Sequence, residues 1–320
     1  MAGSSRLALP SLARRVSRRR VLASSLAAAG GLTALALVGC DSDDAEIPGA
    51  EIPTNTPPVD LTSPALPGAG SFDSSGVPIH YEVFGAGRPI ILVHGFTASL
   101  LFNWVATGWV DELTPIRQVV GLDARGHGLS GKPHEPEAYA GDTMPNDVIG
   151  LMDHLGIEQA DLFGYSMGSA ISLRLLASRP ERFTSVVLGG TGEFARSGAA
   201  GGDSALSDAL LAEDTDSISN PMAKGFRVLA EALENDLEAL AAYSRAVRPG
   251  VSDEALASID VPVLIVNGAD DAIVGSPDAL AAAIPTAELV KIPGKDHLTV
   301  VADPQFKATV VRFLNALPPA

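Results

Sequence analysis

Between positions 72 and 317, short apolar runs alternate with stretches of helical periodicity. Residues 72–84 hold two apolar stretches around Ser74-Ser75-Gly76, which predicts a hairpin. Residues 89–93 form a continuous, β-branched apolar run that predicts a buried strand. Residues 118–122, 160–163, 185–188 and 261–266 read the same way, and 287–292 is a weaker instance. Helical patterns fall between them at 147–155, 167–178 and in pieces across 203–247, and a closing helix is predicted over 304–317. Strands alternating with helices imply an α/β fold with a mostly parallel sheet covered on both faces.

One interval is too long for a simple crossover. About seventy residues separate Gly190 from Val261. Asn220-Pro221 is a helix-start signal, with a capping side chain followed by proline at the first helical position. Phe226, Leu229, Ala230, Leu233, Leu237, Leu240 and Ala241 then recur at helical spacing, so one amphipathic helix is expected through them. The stretch from about 191 to 260 reads as a small helical cap insertion. It leaves the sheet where strand C-termini emerge, which suits a lid over a pocket.

Charge divides the chain. It has 320 residues with 22 Lys+Arg and 38 Asp+Glu, a formal −16. Residues 1–39 hold six arginines, no lysine and no acid, which leaves 16 basic against 38 acidic residues in 40–320, a formal −22. An acidic body argues against nucleic acid as a partner, because phosphate contact needs a basic footprint. It also predicts long-range electrostatic disfavour toward anionic substrates at low salt.

The basic start reads as an address. Arg14, Arg15, Arg18, Arg19 and Arg20 precede an apolar run over 21–38, the layout of an export signal. Ser17-Arg18-Arg19-Arg20-Val21-Leu22 resembles a twin-arginine signal. Leu37-Val38-Gly39-Cys40 resembles a bacterial lipobox, which implies cleavage before Cys40 and acylation of its thiol. Cys40 is the single cysteine, so intramolecular disulfides are excluded. Residues 40–70 carry six prolines among Ser, Thr and Asp and read as a tether. The expected order is a removed signal peptide over 1–39, a lipidated tether over 40–70 and a globular domain over 71–320. That predicts an exported protein held to a bacterial membrane through Cys40.

Gly164-Tyr165-Ser166-Met167-Gly168 matches G-x-S-x-G between an apolar strand and an apolar helix, the setting this motif needs. The turn is tight, and glycines two residues either side of the serine relieve crowding. Ser166 is therefore the candidate nucleophile, at a helix N-terminus that favours developing negative charge. A serine hydroxyl needs a base. Where the motif is catalytic, the chain order is serine, acid, histidine. Of His80, His94, His127, His134, His154 and His297, only His297 follows Ser166. The acid is expected on the loop after 261–266. Asp271 is preferred, Asp270 is the adjacent alternative and Glu193 a distant third. The oxyanion donors are expected to be the backbone N–H groups of Met167 and Phe96. His94, Trp104 and Trp109 read as structural residues and Asp296 as a surface charge.

His94-Gly95-Phe96, residues 123–130, Gly164-Tyr165-Ser166-Met167-Gly168, residues 268–271 and Gly294-Lys295-Asp296-His297 together resemble the α/β-hydrolase-fold serine hydrolases over about 70–317. The resemblance implies that fold, a Ser166–His297–Asp271 triad and a structural role for Asp123, Arg125 and Gly126. The family commonly has a second glycine where this chain has Ser169. A serine in the elbow argues against the haloalkane dehalogenase and epoxide hydrolase branches, which use aspartate there. The leading expectation is a carboxylic-ester hydrolase acting on a small-molecule ester, with no metal or cofactor. Lactonase, carbon–carbon hydrolase and cofactor-free perhydrolase chemistry share these motifs. A low-turnover surface ligand-binding protein is the alternative from another class. Oligomeric state is not legible.

Overall fold

The computed structural model describes residues 68–199 and 202–317. The expected signal peptide over 1–39, Cys40 and the expected tether up to residue 67 lie outside the described residues. Among the described residues ten strands occur: β1 (Ala69–Ser74), β2 (Val77–Phe84), β3 (Pro89–Val93), β4 (Gln118–Leu122), β5 (Ala160–Tyr165), β6 (Phe183–Gly189), β7 (Gly198–Ala199), β8 (Arg248–Pro249), β9 (Val263–Gly268) and β10 (Ala287–Ile292). Eight of them make one sheet in the order β1-β2-β4-β3-β5-β6-β9-β10. β2 runs antiparallel to both neighbours, and every pair from β4 to β10 in that order is parallel. The β1–β2 connection turns at Ser75 and Gly76, both with positive φ, which matches the right-handed twist of a hairpin.

The continuous apolar runs bury both faces of the sheet. Alternate residues of each strand enter opposite layers. Ile91, Val93, Leu162, Val186, Leu188, Val263 and Ile265 pack on one side with the helices Thr143–His154 and Met167–Ser178. Ile90, Leu92, Phe163, Val187, Leu264 and Val266 pack on the other with Trp104, Trp109 and the closing helix Pro304–Ala316. Both tryptophans are fully buried, and the Trp109 indole donates to the Val301 carbonyl at 2.7 Å, so they act in packing as expected. Asp161 interrupts the apolar run of β5 but is satisfied by Arg117 at 2.6 Å, Arg88 at 2.9 Å and the Thr184 and Ser185 hydroxyls.

Among its described residues the interval between β6 and β9 carries five helices: Glu193–Ser197, Ser204–Leu210, Pro221–Ala232, Leu237–Arg245 and Asp253–Ala257. Asn220 caps the third through Met222 and Ala223 N–H, as its sequence signal predicts. The single amphipathic helix expected through Ala241 is corrected: the chain breaks between Ala232 and Leu237. Glu234 turns to φ 53°, its N–H donates to Glu231 O and the Asn235 N–H to Ala230 O. This is a helix-ending motif that satisfies two terminal carbonyls. Asp236 then caps the next helix through Ala239 N–H. Apolar spacing continues across the break, but the polar run Glu234-Asn235-Asp236 is what terminates one helix and starts another.

Candidate active site

Every sequence-predicted site residue within the described region lies at the C-terminal ends of the parallel strands, where such sheets bind ligands. Ser166 follows β5. Gly95-Phe96 follows its neighbour β3. Asp271 follows β9 and His297 follows β10. Strands distant in sequence are neighbours in the sheet, so four loops meet at one edge.

Ser166 adopts φ 53° and ψ −112°, a strained conformation for a residue with a side chain. The flanking glycines are required by contact. A Cβ on Gly164 would stand 2.3 Å from Gly168 O, and one on Gly168 would stand 2.0 Å from Val93 O. Ser166 N–H donates to Gly189 O at 2.8 Å, tying the elbow to β6. Ser169 keeps the close packing despite its side chain: its buried hydroxyl reaches the carbonyls of Gly164 and Gly189 at 2.8 and 2.7 Å.

His297 lies between the other two residues. Its Nε2 is 2.9 Å from Ser166 Oγ and its Nδ1 is 2.7 Å from Asp271 Oδ2. The Asp271 side chain is 1% exposed, and its second oxygen accepts from Ile273 N–H at 2.9 Å. Nδ1 therefore donates to the carboxylate, leaving the Nε2 lone pair directed at the serine hydroxyl. Asp270 is exposed and does not reach His297. Glu193 heads a helix and pairs with Arg196. Asp296 accepts from Leu298 and Thr299 within its own loop.

Met167 opens its helix, so its N–H has no acceptor one turn back. The loop that carries Phe96 is held tightly. Gly95 N–H donates to Asn103 Oδ1 at 2.9 Å, and Thr97 sits at φ 61°. Across from it, Asn235 Nδ2 donates to Thr97 O at 2.9 Å. The Phe96 ring stacks on Tyr243, with centroids 5.1 Å apart, and meets Phe226 edge-on. The insertion thus touches the residues beside the serine.

His94 and the 123–130 loop are structural, as expected. His94 is buried, its Nδ1 donates to Gly95 O, and its Nε2 accepts from Ala124 N–H. Burial holds its pKa below the ordinary value. Burial also lowers His127, to about 3. Burial pushes the Asp123 carboxyl up, but the His80 ring and the Leu100 and Leu129 N–H groups outweigh it and hold the pKa at about 2. Arg125 forks onto Asp147.

Several supporting residues carry no sequence signal of their role. Tyr165, the variable residue before Ser166, donates its buried hydroxyl to the His297 carbonyl. Asn267 clamps Thr191 through both N–H and C=O. Asn103 and Asn235 are ordinary polar residues in sequence and become loop anchors only in the fold. Among the described residues no group of three or more His, Cys, Asp or Glu is placed to hold a metal ion.

A cavity of about 260 Å³ opens beside Ser166. Its wall combines Phe96, Met144, Met167 and Ile171 with Leu206, Phe226 and Tyr243 of the insertion. An apolar cleft with a few polar groups at its ends suits a small organic ligand.

Comparison with known proteins agrees with this architecture. A family model described as alpha/beta hydrolase fold matches residues 88–237. A dihydrolipoyllysine-residue acetyltransferase component of the acetoin cleaving system from Pseudomonas putida is 31% identical over 73% of this chain. That alignment spans 66% of the relative, just under two thirds of its length. A 3-oxoadipate enol-lactonase from Acinetobacter baylyi is 31% identical over 62% of this chain and 77% of its own. Among solved structures, the enol-lactonase from Burkholderia xenovorans LB400 is 27% identical with a TM-score of 0.63, covering 77% of this chain and 99% of that one.

Proposed function

The chain belongs to the α/β-hydrolase family, and from that premise we propose that it is a membrane-tethered serine hydrolase of carboxylic esters. The observation that carries the reading is the His297 bridge, 2.9 Å to Ser166 and 2.7 Å to Asp271. His297 Nε2 takes the Ser166 proton as Oγ attacks the ester carbonyl. The tetrahedral oxyanion accepts hydrogen bonds from Phe96 and Met167 N–H. His297 then protonates the departing alcohol. Water, deprotonated by the same nitrogen, releases the acid from Ser166. Asp271 holds the imidazole tautomer and stabilises the imidazolium.

Lactone hydrolysis is the second reading, supported by the enol-lactonase relative and the enol-lactonase structure. It uses the same steps on a cyclic ester. Initial rates on matched 4-nitrophenyl esters and unsubstituted lactones separate the two. Ester turnover exceeding lactone turnover supports the proposal, and lactone turnover alone sinks it.

The membrane tether rests on the lipobox-like Leu37-Val38-Gly39-Cys40. Two or more acyl chains at Cys40 anchor stably where one does not. Cys40→Ser is expected to move the protein from the membrane fraction to the soluble exported fraction. Unchanged partitioning of that variant counts against lipidation.

A further inference from the structure

The cavity beside Ser166 has a basic end. Met167, Ala170, Ile171 and Arg174 all line it, and their spacing places them on one face of the Met167–Ser178 helix. The cavity therefore runs along the helix from Ser166 to Arg174, about 12 Å at the rise of an α-helix. Arg248 also lines it. Arg174 donates to the carbonyl of Pro249, the residue after Arg248, so the two arginines come to the same end. The charged lining residues are Arg174, Arg248 and Asp203.

The two arginines differ in what they hold. Arg174 is engaged with Asp142 as well as the Pro249 carbonyl. Arg248 donates from Nη1 to Tyr243 O at 2.6 Å, and its guanidinium lies 3.9 Å over the Tyr243 ring. Among the described residues Arg248 forms no ion pair. Asp203 is exposed, and its carboxylate accepts from Leu206 N–H as a helix cap. A half-buried guanidinium outside any ion pair, held over a ring that lines the same cavity, is a built receptor for a planar anion.

The cavity meets the site at the oxyanion donors. Phe96 and Met167, the oxyanion donors of the proposed reaction, line the cavity. His297, which would protonate the leaving alcohol, is not among its lining residues. His297 stands against the cavity wall at Gly190, and the reading taken below puts the acyl limb in the cavity with the alcohol departing on the His297 side.

We propose that the preferred substrates are esters whose acyl chain ends in a carboxylate, bound at the Arg248 end of this cavity. The inference rests on the serine-hydrolase reading and adds the acyl class to it. The acidic body repels anions at long range, while Arg248 offers a guanidinium outside any ion pair to an anion inside the cavity, which Asp203 also lines.

The test uses the mature protein and 4-nitrophenyl monoesters of straight-chain dicarboxylic acids, each paired with the methyl-terminated ester of equal length. We expect kcat/KM to favour the acid-terminated ester by at least tenfold at the best length, and Arg248→Met to reduce that ratio by at least tenfold. A wild-type preference for the methyl-terminated ester, or an unchanged ratio in Arg248→Met, overturns the proposal. If Arg248→Met does not fold, the wild-type ratio across chain lengths still decides. A third set carries the carboxylate on the alcohol limb instead, and a preference confined to that set overturns the acyl placement. Failure to hydrolyse any ester is a different result: it removes the serine-hydrolase reading itself.

Discussion

Ser166→Ala is expected to lower kcat on an activated ester by on the order of 10⁶-fold, the scale lost when a triad serine is removed. The variant should fold as the parent does. The hydroxyl makes one described contact, to His297 Nε2, whereas the strained elbow is held by Ser166 N–H to Gly189 O and by the packing of Gly164 and Gly168. The substitution keeps a Cβ at φ 53° and so adds no backbone strain. Residual hydrolysis of ~10³–10⁴ over water is expected from the oxyanion donors and binding alone. Steady-state rates with a matched thermal melt make the check. A variant that melts like wild type yet keeps wild-type kcat removes Ser166 from the chemistry.

Gly168→Ala should damage both stability and activity. In an open helix the exchange is favourable by about 1 kcal/mol on propensity alone. Here the added Cβ would lie 2.0 Å from Val93 O, 2.6 Å from Val93 C and 2.9 Å from His94 O. All three are backbone atoms of β3 and the loop that carries Phe96, so no side chain can swing aside. The helix must move off the sheet, and it begins at Met167 with Ser166 as its N-cap. We expect a loss of at least ~3 kcal/mol, or ~6–12 °C in Tm for a domain of this size. A fall in kcat of at least ~100-fold should accompany it, because a shift of about 1 Å in a positioned group costs that much. Gly225 serves as the comparison. It lies in the Pro221–Ala232 helix with nothing within 4 Å of a built Cβ. Gly225→Ala should leave Tm unchanged or raise it. If both variants melt alike, the close approach at Gly168 is not what holds the elbow.

The contrast between these glycines shows what the sequence carried. Gly168 was legible because the elbow motif states a spacing that sterics impose. The strands were legible because a parallel sheet buries both faces and leaves uninterrupted apolar runs. The pattern at 89–93, 118–122 and 287–292 returned those strands with the bounds the structure has. His297 was legible because one histidine follows Ser166. The choice between Asp270 and Asp271 needed the fold, since adjacent carboxylates on a loop differ only in direction. The break at Glu234–Asp236 was hidden because apolar spacing continues across it. The anchoring roles of Tyr165, Asn103 and Asn235 were hidden for a related reason. Each uses a common side chain on a partner remote in the fold, and a lone polar residue does not announce its acceptor. Arg248 is the same case: only packing shows that its guanidinium lies over Tyr243, outside any ion pair among the described residues.

The central claim is that Ser166 forms a covalent acyl-enzyme. Rapid-quench mass spectrometry during turnover of a slowly deacylated 4-nitrophenyl ester measures it directly. A burst of one 4-nitrophenolate per protein molecule is expected, with a matching acyl mass increment mapped to Ser166. Turnover with no adduct, or an adduct mapped to any other residue, would contradict it.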